Sequence, residues 1–199
     1  MEKFDIIYAD PPWQYKDRNS NGKRGADYKY DTMNIEDITS LPIYELAEDN
    51  SVLFLWCTAP LLNKGIETVY KWGFNYKTIA FTWVKLNKNG SVFKGLGHYT
   101  RSNAEFVLLG VRGKGLEVID KSVSQIIQEQ RSYHSVKPGR IKNEIDRLYP
   151  DPNYKRIELF ARKGANTIEY AHWNFTGLEY NGAYIEDILE NYRKESWCK

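Results

Sequence analysis

The chain has 199 residues, 42% of them hydrophobic and 27% charged, with a net charge of +2. That is enough for one well-buried domain and too little for two of ordinary size. No apolar stretch approaches the roughly 18–20 residues of a membrane span, and Glu2 and Lys3 lead into a strand-like run instead of a signal sequence, so the expectation is a soluble, cytoplasmic protein.

In chain order, residues 4–9 (Phe-Asp-Ile-Ile-Tyr-Ala) are short, apolar and rich in β-branched and aromatic types, as in a buried strand of a parallel sheet. Further strands are predicted at 51–57, 76–84, 105–110 and 156–161. Helices are predicted at 35–47 with a break near Pro42, at 61–72 opened by Pro60, and at 139–148 opened by Pro138. This alternation predicts an α/β domain with a mainly parallel sheet. Residues 14–31 and 87–103 are long glycine-containing loops of the kind that cover a site, and 130–138 is a third, carrying Arg131, His134 and Lys137. In the tail, Ile185, Ile188, Leu189 and Tyr192 stand at helical spacing. The division expected is one domain over 1–177 and a docking helix within 178–199.

Directly behind the first strand stands Asp10-Pro11-Pro12-Trp13. Ligands of such sheets sit outside the carboxyl ends of the strands. The two prolines fix two φ angles and remove two amide donors, leaving the Asp10 and Pro11 carbonyls open to a ligand. An Asp carboxylate and a prolyl carbonyl are two convergent acceptors for an exocyclic amine, and an exposed Trp13 indole supplies a stacking face for a nucleobase. The same four residues also make an ordinary Asp-Pro turn beside a core tryptophan. Charge is uneven: residues 85–142 hold eleven Lys/Arg against four Asp/Glu, and residues 178–199 three against five. The first stretch is able to build a phosphate-attracting face or simply a solvated surface. Cys57 and Cys198 match no disulfide or metal framework, and His98, His134 and His172 stand at no ligand spacing, which predicts free thiols in a reducing compartment and no metal. No glycine-rich dinucleotide turn is present, which argues against a nicotinamide or flavin enzyme.

The tetrapeptide resembles the signature of the MT-A70 (DPPW-motif) adenine-N6 methyltransferases, bacterial and phage type. The resemblance extends from Phe4 to Asn174 through Tyr30-Asp31-Thr32-Met33, Val52-Leu53-Phe54-Leu55-Trp56, Trp72-Gly73-Phe74, Trp83-Val84-Lys85, Gly97-His98-Tyr99, Arg101-Ser102-Asn103-Ala104-Glu105, His134-Ser135-Val136-Lys137-Pro138 and Ile157-Glu158-Leu159-Phe160-Ala161-Arg162. It implies a Rossmann-like S-adenosylmethionine-dependent methyltransferase fold in the permuted, β-class-like motif order. It further implies that Asp10, Pro11, Pro12 and Trp13 are catalytic and that Asp10, Lys137, Phe160, Arg162 and Asn174 hold S-adenosylmethionine. Trp13, Tyr30, His98 and Arg101 are then expected at the nucleic-acid substrate. Two departures stand out. The family's Gly-Asn-Glu or Gly-Asn-Gln step is missing at Trp173-Asn174-Phe175, and Gly164-Ala165 occupy the place of a polar pair.

The function expected is methyl transfer to the N6 amine of adenine, in DNA before RNA, with a homodimer or heteromeric partner expected and no membrane. The alternatives are a catalytically silent nucleic-acid-binding subunit of a heteromeric methyltransferase and a cytosine-N4 methyltransferase.

Overall fold

A computed structural model describes residues 2–14, 32–97, 99–131, 137–162, 169–182 and 189–190. Its strands are β1 (Phe4–Ala9), β2 (Ala47–Cys57), β3 (Asn75–Leu86), β4 (Ala104–Arg112), β5 (Ile126–Gln130), β6 (Arg156–Leu159) and β7 (Trp173–Thr176). They form one sheet in the order β5-β3-β4-β2-β1-β6-β7. β1 pairs in parallel with β2 and β6, β6 with β7, and β3 with β5, while β4 is antiparallel to both of its neighbours. Six strands therefore point one way and β4 alone is reversed, so the sheet is mainly parallel, as the alternation of elements predicts, with one antiparallel strand inside it.

The helices are α1 (Ile35–Ser40), α2 (Leu62–Lys71), α3 (Arg140–Leu148) and the short α4 (Leu178–Asn181). Asn34 starts α1, its side-chain oxygen accepting from the Asp37 amide at 2.8 Å. The predicted 35–47 helix ends at Ser40; a single 3-10 turn, Ile43–Glu45, follows Pro42, and Ala47 already belongs to β2. Proline removes the amide needed to continue α1, and the chain re-enters the sheet within five residues.

Successive side chains of a strand face opposite sides, and the core divides accordingly. Ile7 and Ala9 pack with Leu53, Leu55, Ile38, Val69 and Trp72 under α1 and α2. Ile6 and Tyr8 pack with Phe54, Trp56, Phe81, Ile141 and Ile145 under α3. β1 and the second half of β2 are buried on both faces, which is why they read as unbroken apolar runs. Leu189 from the tail is also buried in the first cluster; residues 183–188 and 191–199 of the expected docking segment lie outside the described residues. No helix among those described is long and apolar enough to cross a membrane.

β5 and β7 were not expected. Both are short edge strands with one partner each, so only one side of their backbone and few of their side chains constrain composition. β6 ends at Leu159, two residues before the predicted end, because Phe160 adopts a positive φ of 61°.

α3 is held to the sheet by Ile141 and Ile145, four residues apart and both fully buried. Replacing Ile145 with Ala is expected to cost about 2–5 kcal/mol, read as a lower urea midpoint with an unchanged m value.

Candidate active site

The chain runs from β1 through β2, β3, β4 and β5 on one side of β1, then crosses back through α3 to β6 and β7 on the other. The strand order thus changes direction between β1 and β6, and a crevice forms outside the carboxyl ends at such a point. Ala9, Leu159 and Thr176 lie side by side across β1, β6 and β7. The residues that follow them, Asp10, Phe160 and Gly177, therefore line one edge.

Asp10 meets Lys137 there, Nζ to Oδ2 at 2.9 Å. Lys137 stands just before α3, which returns from the same edge. Its ammonium also lies 3.3 Å from Glu105, and the other Glu105 oxygen accepts from Lys85. Because β4 is reversed, Glu105 sits near its amino-terminal end and still reaches the carboxyl edge of its neighbours. The result is a row of alternating charge, Asp10, Lys137, Glu105, Lys85, with each side chain between 15% and 21% exposed. Burial alone would raise the Glu105 carboxyl; the Lys137 and Lys85 ammoniums outweigh it and hold it below the usual carboxylate range. Burial likewise opposes the charge on Lys137, and Asp10 and Glu105 overcome it, so its ammonium is held above the ordinary lysine value.

Indoles underlie the row. Lys137 lies 5.2 Å from the Trp56 ring centroid and Lys85 5.1 Å from that of Trp83, and the two rings meet edge to face at 6.3 Å. Trp56 donates to the Tyr8 hydroxyl at 2.6 Å. On the opposite face of β2, the Cys57 thiol is buried and pushed up to about 12, by burial and then by Glu105, so it is inert. One residue back from the β6 edge, Lys142 pairs with Glu158 at 2.8 Å. Among the described residues no group of three or more His, Cys, Asp or Glu side chains is placed to hold a metal.

The structure corrects the expectation for Trp13. Its indole is 8% exposed and donates to the Trp56 carbonyl at 2.9 Å, so it is a buried strut and not an open stacking face. The physical reason lies in the turn it closes. The Trp13 amide donates to the Pro11 carbonyl at 2.8 Å, and a one-residue bridge joins Trp13 to Met33, with the Met33 amide donating to the Pro12 carbonyl at 2.9 Å. This directs the side chain inward. The Pro11 carbonyl is consequently already engaged, with one lone pair left for a further donor.

Phe160 and Arg162 follow the end of β6, Phe160 packed against the α1–α2 side of the core and Arg162 half-buried. Asn174 is not brought to this edge. It pairs with Ile157 in the lower half of β7 and donates to the Arg156 carbonyl at 3.2 Å, at the amino-terminal end of β6. The edge position on β7 belongs to Gly177, three residues later. A Cβ there would collide with the backbone of Phe160 and Ala161, so glycine is required where the two strand exits cross. The glycine at this edge is therefore Gly177, located by strand register, three residues beyond Asn174. Arg101 is exposed in the β3–β4 connection at the same end of the sheet. Tyr30, His98 and His134 lie outside the described residues. Sequence reasoning assigns no role to Glu105 or Glu158; a carboxylate inside an otherwise apolar strand is the signal that marks them.

Because the folded-state value of Glu105 lies below its unfolded one, its stabilising contribution is present above the unfolded value, about 4.3, and disappears as pH falls through the folded value. Glu105→Gln is expected to lose about 1–3 kcal/mol at pH 7. Below the carboxylate range it converges with the parent chain, as urea midpoints from pH 3 to 7 would record.

Residues 4–179 match the family model described as MT-A70. The chain is 34% identical over 202 residues to the type II methyltransferase M.MunI of Mycoplasma sp, covering 93% of this chain and 81% of that protein. It is 30% identical over 192 residues to the human N(6)-adenosine-methyltransferase catalytic subunit METTL3, covering 94% of this chain and 30% of that protein. It is 27% identical over 189 residues to the MT-A70-like N(6)-adenosine-methyltransferase of Drosophila melanogaster, covering 28% of that protein. A match over this length, running through every strand of the sheet and all four members of the charged row, places the chain in the MT-A70 methyltransferase family.

Proposed function

We propose that this chain transfers a methyl group from S-adenosylmethionine to the exocyclic N6 amine of adenine in nucleic acid, DNA in preference to RNA. A single catalytic domain over 1–177 carries the reaction, with the tail docked on it. The observation that carries this reading is the Asp10–Lys137 pair at the point where the strand order reverses.

A part-buried carboxylate beside a part-buried ammonium is complementary to an amino acid end group, whose ammonium and carboxylate each find the opposite charge. The residues present therefore fit the methionine portion of S-adenosylmethionine, with Lys137 facing its carboxylate and Asp10 its ammonium. Phe160 and Arg162 stand at the adjoining edge for the adenosine portion. When bound, this donor supplies an electrophilic methyl group. Lys137 remains protonated at any physiological pH because Asp10 and Glu105 flank it.

The chemistry left to the chain is to hold the amine. The Asp10 carboxylate and the remaining lone pair of the Pro11 carbonyl accept the two N6 hydrogens, which keeps the nitrogen lone pair out of the ring and aimed at the methyl group. Orientation of this kind supplies up to about 7–11 kcal/mol, and the surplus amine proton passes to solvent, so no strong base is needed. Trp13 contributes indirectly: anchored to Trp56, it fixes the turn from which Asp10 and Pro11 project. An adenine within a duplex must first leave the stack, at a cost of a few kcal/mol. The preference for DNA rests on the higher identity to the type II methyltransferase, 34% against 30% and 27% for the two adenosine methyltransferases.

The test is incubation with labelled S-adenosylmethionine and, separately, single-stranded DNA, duplex DNA and RNA, followed by digestion and mass spectrometry of the nucleosides. N6-methyladenine from DNA supports the proposal; N4-methylcytosine, or no product despite donor binding, overturns it. Asp10→Ala is expected to lower kcat at least about 100-fold with the fold intact. Lys137→Ala is expected to raise the KM for the donor roughly tenfold or more, with a smaller effect on the KM for nucleic acid.

A further inference from the structure

Beneath the charged row lies a second buried pair that the proposed chemistry does not use. Glu158 stands beside Tyr8 in the parallel register of β6 and β1. Its side chain therefore faces α3, the side on which Asp10 follows two residues after Tyr8. It accepts from Lys142, in the first turn of α3, at 2.8 Å, the two side chains being 14% and 8% exposed. The Lys142 ammonium also lies 4.3 Å from the Tyr170 ring centroid and 5.0 Å from that of Phe175. The buried Tyr170 in turn donates its hydroxyl to the Gly139 carbonyl at 2.9 Å, two residues beyond Lys137. Gly139 gives α3 no side-chain cap, and its first turn holds no acid. Among the described residues, Lys142 and Tyr170 are what tie this helix start to its surroundings by polar bonds.

Stability does not account for the pair. A cation in the first turn opposes the helix dipole, and a buried ion pair is often no better for the fold than well-packed apolar side chains of similar volume. Burial pushes the Glu158 carboxyl up; Lys142 opposes this and the Asp10 charge adds to it, so the folded-state value lies above the ordinary one. A carboxyl raised in this way stabilises the fold below its unfolded value, about 4.3, and loses that contribution as pH rises through the folded value. At pH 7 the ionised group no longer favours folding. What the pair supplies is a fixed distance: a short charge-assisted bond resists a displacement that apolar contacts tolerate. Five positions with Pro138 among them separate Lys137 from Lys142, and the proline stiffens that link, so a shift of the helix start is passed on to Lys137.

We infer that Lys142, Glu158 and Tyr170 are positioning residues for the methyl donor: they pin the start of α3 to β6 and thereby hold Lys137 at the distance from Asp10 at which the two receive a zwitterionic end group. This deepens the proposed function and rests on it for the identity of the ligand. The pin itself is tested without one.

The experiment compares the full chain with Lys142→Met combined with Glu158→Gln, which removes both charges, and with Tyr170→Phe, which removes only the bond to Gly139. Hydrogen exchange of the amides of residues 139–143 is expected to quicken in both variants, with the second half of α3 and β6 protected as in the parent chain. The melting temperature of the double variant at pH 7 should equal or exceed that of the parent. In the methylation assay the KM for S-adenosylmethionine is expected to rise about tenfold or more in the double variant, as for loss of a bond to a charged group, and about 2- to 10-fold in Tyr170→Phe. The KM for nucleic acid should stay close to that of the parent. Parent-like exchange and donor KM in the double variant overturn the inference. A lower melting temperature with faster exchange throughout α3 and the sheet also overturns it, because the pair is then an ordinary stabilising contact. Failure of the parent chain to bind S-adenosylmethionine would refute the proposed function, and the exchange of residues 139–143 would still decide whether the pin exists.

Discussion

Lys137 between Asp10 and Glu105 is the contact on which the geometry of the edge depends. Two carboxylates brought near one another at low exposure repel, and each loses hydration. The ammonium between them offsets both effects, and Lys85 completes the neutrality at the far end of the row. The row joins the exit of β1, the approach to α3, and the adjoining ends of β4 and β3, four segments separated by up to 127 positions in the chain. Trp56 and Trp83 beneath it give the two ammoniums an aromatic floor and hold the carboxylates away from the core.

The reversed strand β4 decides which residues can take part. In a wholly parallel sheet, the edge that carries Asp10 would be lined by strand exits alone. Reversal brings in an entrance, and with it Glu105 and the hairpin that precedes it. One topological change thus supplies the middle carboxylate of the row. The crossover through α3 supplies the other half by returning Lys137 to the same edge. That helix is secured by Ile141 and Ile145 and by ion pairs from Lys142 and Asp146 to β6.

The Asp10–Trp13 segment shows how rigidity is obtained without regular structure. Two prolines, a tight bond from Trp13 to Pro11 and the bridge to Met33 leave little freedom to the backbone, and the buried indole ties it to β2. On the neighbouring strand, the left-handed Phe160 and the close approach of Gly177 shape the exit in another way. Non-glycine residues in that region cost of order 1–3 kcal/mol and persist where the surroundings over-determine them. Here the surroundings are the Ala161 to Thr176 bond at 2.8 Å and the packing of the Phe160 ring.

The sequence by itself determined the buried strands and the amphipathic helices, because burial on two faces or along one stripe leaves a direct mark on composition: β1, β2, α2 and α3 are legible within a few residues. It also carried the tetrapeptide, whose residue types are distinctive, whereas Lys137 stood out only through the family resemblance. The tertiary structure alone decided whether Trp13 faced water or core, since an indole after a turn is compatible with both until its hydrogen-bond partner on β2 is in place. It alone placed Gly177, and not Asn174, at the exit of β7, because register between parallel strands is fixed by pairing and not by counting along the chain. It also gave Glu105 its place: a carboxylate in a strand becomes intelligible only when the reversal of that strand brings two lysines, 20 residues before it and 32 after, to its two oxygens.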